Sequence, residues 1–267
     1  MIEGLKIRCK VGGIEVLRSP HISLVSSRQA VVSRAELDVP DPNGAVWSGL
    51  ALGDAVTVRF GYRGESALWH EWEGTVDGRE RSSPDTVRVR AIGKELCLLT
   101  THVTESFYRE PASIVAARLL ARTGLPVADV DIPDELLPHQ LFSGVTVARA
   151  IKQLSMSLNR SFGHDFSKHA LWLGADGLRW SDGDEPGDVY TIETAENLLS
   201  HVPPAGEGSM GVVTSVLLPG LQHSRKIRIR DARLDEVRTV RAQEVRHELA
   251  VSGNKTTVLY GADRGWG

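Results

Sequence analysis

Apolar residues recur at every second position along most of this chain, a spacing that suits strands with one buried face and little else. In the first run Leu5, Ile7 and Cys9 fall on one side and Lys6, Arg8 and Lys10 on the other. Gly12-Gly13 turns the chain into Ile14-Glu15-Val16-Leu17, and the stretch from His21 to Ser26 resumes the alternation through Ile22 and Leu24. Successive antiparallel strands are expected here. Ala35-Glu36-Leu37-Asp38-Val39 then stops at Pro40-Asp41-Pro42-Asn43-Gly44, whose residues preset turn dihedrals and cannot prolong a ladder. Val56 to Phe60, Trp72 to Val76 and Thr86 to Ala91 follow at even spacing, the pattern of a small closed barrel or sandwich.

Between about Glu110 and Arg160 the period becomes helical. Ser113 is placed to cap a helix bearing Ile114, Val115, Ala117, Leu119 and Leu120, with Gly124 past its end. A connector from Leu125 to Pro138 leads to a second helix starting near Thr146, with Val147, Ile151, Leu154 and Leu158 on one stripe. Alternation returns at Ala170-Leu171-Trp172-Leu173, and Gly174-Ala175-Asp176-Gly177 turns into Leu178-Arg179-Trp180 as a hairpin. Val189 to Ile192, Val212 to Leu218, Lys226 to Arg230, Val237 to Ala242 and Thr256 to Tyr260 complete the set. The expected fold is mainly β with a small α/β insertion, as two small β barrels flanking a two-helix segment. The boundaries fall at 1–100 for the first barrel, 101–168 for the helical insertion and 169–267 for the second barrel.

Composition narrows the function. A hydrophobic fraction of 41% with 24% charged residues is that of a globular chain and argues against extended disorder. A formal net charge of −3 is not that of a protein built to neutralise phosphates. Met1-Ile2-Glu3-Gly4 opens into a polar run instead of an apolar leader, and no apolar stretch approaches the ~20 residues needed to span a bilayer. Synthesis in the cytoplasm and no stable membrane association are expected. Cys9 and Cys97 sit in strand-like patterns and are read as buried free thiols.

Few motifs suggest chemistry. Gly206-Glu207-Gly208-Ser209-Met210-Gly211 has the spacing of a dinucleotide-binding loop, but prolines precede it and a strand-like run follows where a helix is required. In His70-Glu71-Trp72-Glu73 the strand period puts His70 and Trp72 on one face and the two carboxylates on the other, as on a solvated strand edge. His164 and His169, five apart, share neither a helical nor a strand face. No G-x-S-x-G or H-E-x-x-H occurs. No catalytic, cofactor-binding or metal-ligating residue is assigned, and no cofactor. Arg225-Lys226-Ile227-Arg228-Ile229-Arg230 is the one concentrated basic feature. On a strand Lys226, Arg228 and Arg230 form a single charged face, the candidate partner-contact face. An acidic partner subunit suits it better than DNA, given the net charge.

Three groups of residues together resemble the baseplate hub family of phage tails, which includes the late control protein D type and the hub part of type VI secretion spike proteins. Gly53-Asp54-Ala55-Val56 followed by Glu73-Gly74-Thr75-Val76 is similar to the family's first barrel, where a "G-D-x-V" strand precedes an "x-G-x-V" strand. Pro111-Ala112-Ser113-Ile114 to Leu120, Thr123-Gly124-Leu125, and Phe142-Ser143-Gly144-Val145-Thr146 to Leu154 resemble its two helices and "T-G-L" stop. Leu218-Pro219-Gly220-Leu221 and Val245-Arg246-His247 resemble the "P-G-L" turn and "V-x-H" of its second barrel, although the usual Gly-Asp near Gln222-His223-Ser224 is missing.

The resemblance implies a structural protein without enzymatic activity, in the virion tail baseplate and assembled in the bacterial host cytoplasm. It implies a homotrimeric ring that adapts a six-fold tail tube to a three-fold central spike. Its partners would be the tail tube or distal tail protein, the central spike protein and, as a further candidate, the tape measure protein, with DNA only in transit through the channel. The rival readings are a hub-associated peptidoglycan hydrolase and a carbohydrate-binding receptor-binding module.

Overall fold

The computed structural model describes residues 4–16, 19, 21–63 and 69–266. Leu17, read as the end of the second strand, and Met1 to Glu3, read as the polar start of the chain, lie outside the described residues. Backbone contacts divide the chain into two compact units. One is Met1–Ser27, Ser33–Lys94 and Pro186–Ala262; the other is Arg28–Val32, Glu95–Glu185 and Asp263–Gly267. The sequence reading draws a boundary between 168 and 169, whereas the second unit continues to Glu185.

The first unit opens with β1 (Leu5–Val11), β2 (Ile14–Val16), β3 (His21–Ser27) and β4 (Arg34–Pro40). The Pro-rich turn leads to a one-turn helix, α1 (Ala45–Gly49), because Asp41 takes the amides of Val46 and Trp47 at 2.9 and 3.0 Å. β5 (Ala55–Tyr62), β6 (His70–Ser83) and β7 (Thr86–Gly93) follow. The motif residues of this part meet physically. Gly53 N–H donates to Val76 O and Val76 N–H to Asp54 O, both at 2.8 Å, while Asp54 accepts from Ala51 N at 2.8 Å. A Cβ on Gly74 would collide with the Ile92 carbonyl on β7 and with the Trp72 ring, so glycine is what lets β6 approach β7 there.

The second unit holds α2 (Cys97–Thr100), β8 (His102–Pro111), α3 (Ala112–Ala121), β9 (Val127–Val130), β10 (Leu136–Thr146), α4 (Val147–Phe162), β11 (Ala170–Leu173) and β12 (Leu178–Ser181). Both expected helices are present, and Thr146 caps α4 by accepting from Arg149 N. Val147, Ile151, Leu154 and Leu158 are fully buried. Ser113 is not the cap of α3: the helix starts directly after Pro111, and Asp134 from the connector accepts from Ser113 N at 3.2 Å and from its hydroxyl at 2.6 Å. The segment is also more β than its period suggests. β8 and β10 form a long antiparallel ladder, and the β11–β12 hairpin pairs with β9 in parallel, placing it in this unit.

The first unit resumes with β13 (Tyr190–Glu193), β14 (Leu198–Val202), β15 (Met210–Val216), β16 (Lys226–Asp231), β17 (Glu236–Ala250) and β18 (Gly253–Gly261). Its strands form a path running β14-β15-β18-β17-β3-β4-β7-β6-β5-β1-β2, with β16 on the first half of β17 and β13 parallel to β16. The mainly β class is as expected. The two strand sets, however, share one ladder through β17 and β3, from Glu244 opposite Ser27 to Ala250 opposite His21, and no ladder among the described residues closes either set. Each set keeps its own core, one around Leu37, Val58, Phe60 and Val89, the other around Ile227, Ile229, Val245 and Val258.

Candidate functional site

β16 alternates as its sequence requires. Ile227 and Ile229 are fully buried, Lys226 and Arg228 are exposed, and Arg230 is half-buried with an ion pair to Glu193 at 3.2 Å. The three candidate contact residues therefore share one outward face. The ladders widen it: Lys226 lies opposite Arg241, Arg228 between Thr191 and Thr239, and Arg230 between Glu193 and Val237. Arg241 was not singled out from sequence, since only the register of β16 on β17 places it there.

The His70 segment runs in the middle of the sheet path, between β5 and β7, and is no strand edge. His70 and Trp72 point inward and Glu71 and Glu73 outward. The His70 ring packs against Phe60 and His247, with centroids 5.0 and 5.2 Å away. Burial and the neighbouring His247 push His70 down to about 3, and burial pushes His247 down to about 4. His247 Nε2 lies 2.8 Å from Leu221 O, and since a carbonyl only accepts, that nitrogen carries the proton. The "P-G-L" and "V-x-H" residues thus meet in one hydrogen bond.

The other histidine pair is not brought to a common site. His164 sits 2.9 Å from Glu135, and His169 packs on Phe166 and Trp180. No group of three or more His, Cys, Asp or Glu among the described residues is arranged to hold a metal ion. Gly206 to Ser209 form a loop, exposed at Gly206 to Gly208, and Met210 and Gly211 already belong to β15, so a strand follows where the motif requires a helix. Cys9 is buried, and desolvation pushes its thiol up to about 12. Trp72, Trp172 and Trp180 are core residues, whereas Trp47, Trp69 and Trp266 lie under the cationic ends of Arg79, Arg59 and Lys152.

Two polar arrangements escape sequence reasoning, the first because its members are distant in the chain and the second because nothing in the local pattern marks it. His201 places Nδ1 3.0 Å from Asp231 and Nε2 2.6 Å from the Tyr260 hydroxyl, with all three side chains buried. Arg233, hydrogen-bonded to Asp231, together with His201 holds that carboxyl well below the usual carboxylate range. The network ties β14, β16 and β18, which no ladder joins directly. Asn197 serves the edge of β13 as a neighbouring strand would. Its carbonyl accepts from Glu193 N at 2.8 Å, and its amide donates to Thr191 O at 2.9 Å.

Among solved structures the chain is similar over nearly its whole length to the 43 kDa tail protein of prophage MuSo2 from Shewanella oneidensis, at TM-score 0.66 and 11% identity, covering 97% of each chain. It is similar to the tail protein from Neisseria meningitidis MC58 at TM-score 0.65 and 12% identity, covering 98% of this chain and 97% of the other. The E. coli c3393 protein matches at TM-score 0.60 and 14% identity, over 97% of this chain and 77% of that one. It is a type VI secretion component with structural similarity to the T4 bacteriophage tail proteins gp27 and gp5. No protein-family profile and no curated protein matches the sequence.

Proposed function

We propose that this chain, whose fold is that of phage tail proteins and of a type VI secretion component, is a structural hub subunit of a tail baseplate and not an enzyme. The observation that carries the reading is the match to a prophage tail protein over 97% of both chains. At this level of identity the fold alone is shared, so the role is inferred from the company the fold keeps. Consistent with it, the His70–His247 and His201–Asp231 pairs are buried in packed strands.

In the proposed assembly three copies form a ring at the junction of a six-fold tail tube and a three-fold central spike. Each copy brings two strand sets joined through β17 and β3, so three copies present six comparable units to the tube. The tube or distal tail protein and the central spike protein are the expected neighbours, with the tape measure protein and DNA passing through the channel. Lys226, Arg228 and Arg230 form a contact face toward a partner. Copy number and symmetry of the chain inside assembled particles test the proposal. Three copies on the particle axis are expected; six equivalent copies, or a peripheral location, overturn it.

A further inference from the structure

We infer that the exposed face of α4 docks a helix of a partner protein that carries carboxylates along one side, with Arg149, Lys152 and Arg160 taking those charges and Met156 the apolar contact among them. The inference goes beyond the hub reading by adding a contact on the helical unit, and it rests on that reading for the existence of a partner. Three observations carry it. First, at 3.6 residues per turn Arg149, Lys152, Met156 and Arg160 fall within an arc of about 80°, opposite the buried stripe of Ile151, Leu154 and Leu158, and all four are exposed. Second, α4 contains no Asp or Glu, and among the described residues no carboxylate pairs with any of its three cations. The unit supplies such partners elsewhere: Arg118 of α3 has Glu110 at 3.0 Å, and Arg122 just beyond that helix has Glu105. Taken whole the unit holds more Asp and Glu than Lys and Arg, so α4 gathers positive charge against the trend. Third, Met156 is 44% exposed within the stripe, and the half-buried Trp266 ring stands 5.8 Å from Lys152 Nζ. A flexible thioether and an aromatic ring among arginines are the side chains in which protein interfaces are enriched.

Geometry selects among anionic partners. Arg149 and Arg160 are about 16 Å apart along the helix axis, so a second helix with Glu at spacings of three and four sets carboxylates against both and an apolar side chain over Met156. Lys152, Met156 and Arg160 are four apart, a ridge of the kind that fits the groove of another helix. An anionic lipid surface suits α4 less well, because a helix lying on a membrane needs its own apolar face for the acyl chains, and that face of α4 is in the core. Duplex DNA suits it less well too, since three cations neutralise few phosphates.

Binding to the full chain tests this. The probes are a labelled alanine-based helical peptide with Glu and one Leu along a single side, a peptide of the same composition with its Glu residues spread around the helix, a labelled DNA duplex, and vesicles of phosphatidylcholine and phosphatidylserine. Anisotropy follows the first three and co-sedimentation the vesicles. The one-sided peptide is expected to bind tightest at low salt. Arg149→Glu and Lys152→Glu should each weaken it about tenfold, and Arg149→Gln less, while Arg8→Glu on β1 leaves it unchanged. Unchanged urea midpoints separate loss of the face from loss of the fold. Equal binding of the two peptides, equal weakening by Arg8→Glu and Arg149→Glu, tighter binding of the duplex or the vesicles, or no binding of the one-sided peptide overturns the inference. If particles nonetheless hold three axial copies, the hub reading stands and only this contact is lost.

Discussion

The imidazole rings of His70 and His247 lie 5.2 Å apart inside the β unit, with Phe60 within 5.3 Å of both. Each ring has a folded pKa well below its unfolded value, so in acid the unfolded chain binds more protons than the folded one. The stability these rings give as neutral groups is complete above about pH 6.5 and is lost as pH falls toward 4 and then 3. At pH 5 the loss is about 2 kcal/mol for each ring. Urea midpoints at pH 7 and pH 5 should differ accordingly, and His70→Leu should remove part of the difference. Asp231, also depressed, adds its own loss only below the ordinary carboxylate range, so the two effects are separable by pH.

Gly74→Ala should destabilise the β unit by about 3 kcal/mol, since neither the Ile92 carbonyl nor the packed Trp72 ring has room to retreat. Gly78→Ala on the same strand meets only the flexible end of Arg90 and should cost under about 1 kcal/mol. Thermal melts of the two variants measure the contrast.

Leu119→Asp or Leu154→Asp puts a charge into a fully buried site of the helical unit and should cost about 4 kcal/mol or more, leaving insoluble or unfolded protein. Ile114→Asp, on the exposed side of α3, is expected to stay soluble with near-native circular dichroism. Soluble, fully folded Leu119→Asp and Leu154→Asp would refute a packed helical segment.

Asn197→Ala removes both side-chain hydrogen bonds from the edge of β13 and should destabilise it by roughly 1–2 kcal/mol. Hydrogen exchange at the Glu193 amide reports the change directly. Asn197→Asp keeps an acceptor for that amide but cannot donate to Thr191 O, and should fall between the two.

Much of the β unit is legible in the sequence because a strand with one buried face writes itself as alternation, as β4, β5, β7 and β16 do. α4 is legible for the same reason at a period of 3.6. β8 and β10 are not, because few of their residues are buried and Tyr108 and Leu141 face outward, which blurs the apolar pattern. Assignment of the β11–β12 hairpin to the helical unit is hidden too, since only its parallel pairing with β9, some fifty residues earlier, decides it. The basic face is legible as far as one strand carries it. Arg241, His201 and Asn197 acquire their roles from partners that the chain brings alongside only on folding.

The ladder between β3 and β17 pairs His21 with Ala250, roughly 230 residues later. At about 5–20 residues per second, a ribosome takes about ten to fifty seconds to deliver the second strand after the first. During that interval β3 has β4 as its neighbour and an open edge on its other side, the kind of surface on which nascent chains stick to one another. The β unit therefore completes itself last and slowly, as contacts of such long sequence separation require. A nascent chain halted before β17 will carry that open edge, and chaperones are the natural guardians of the gap.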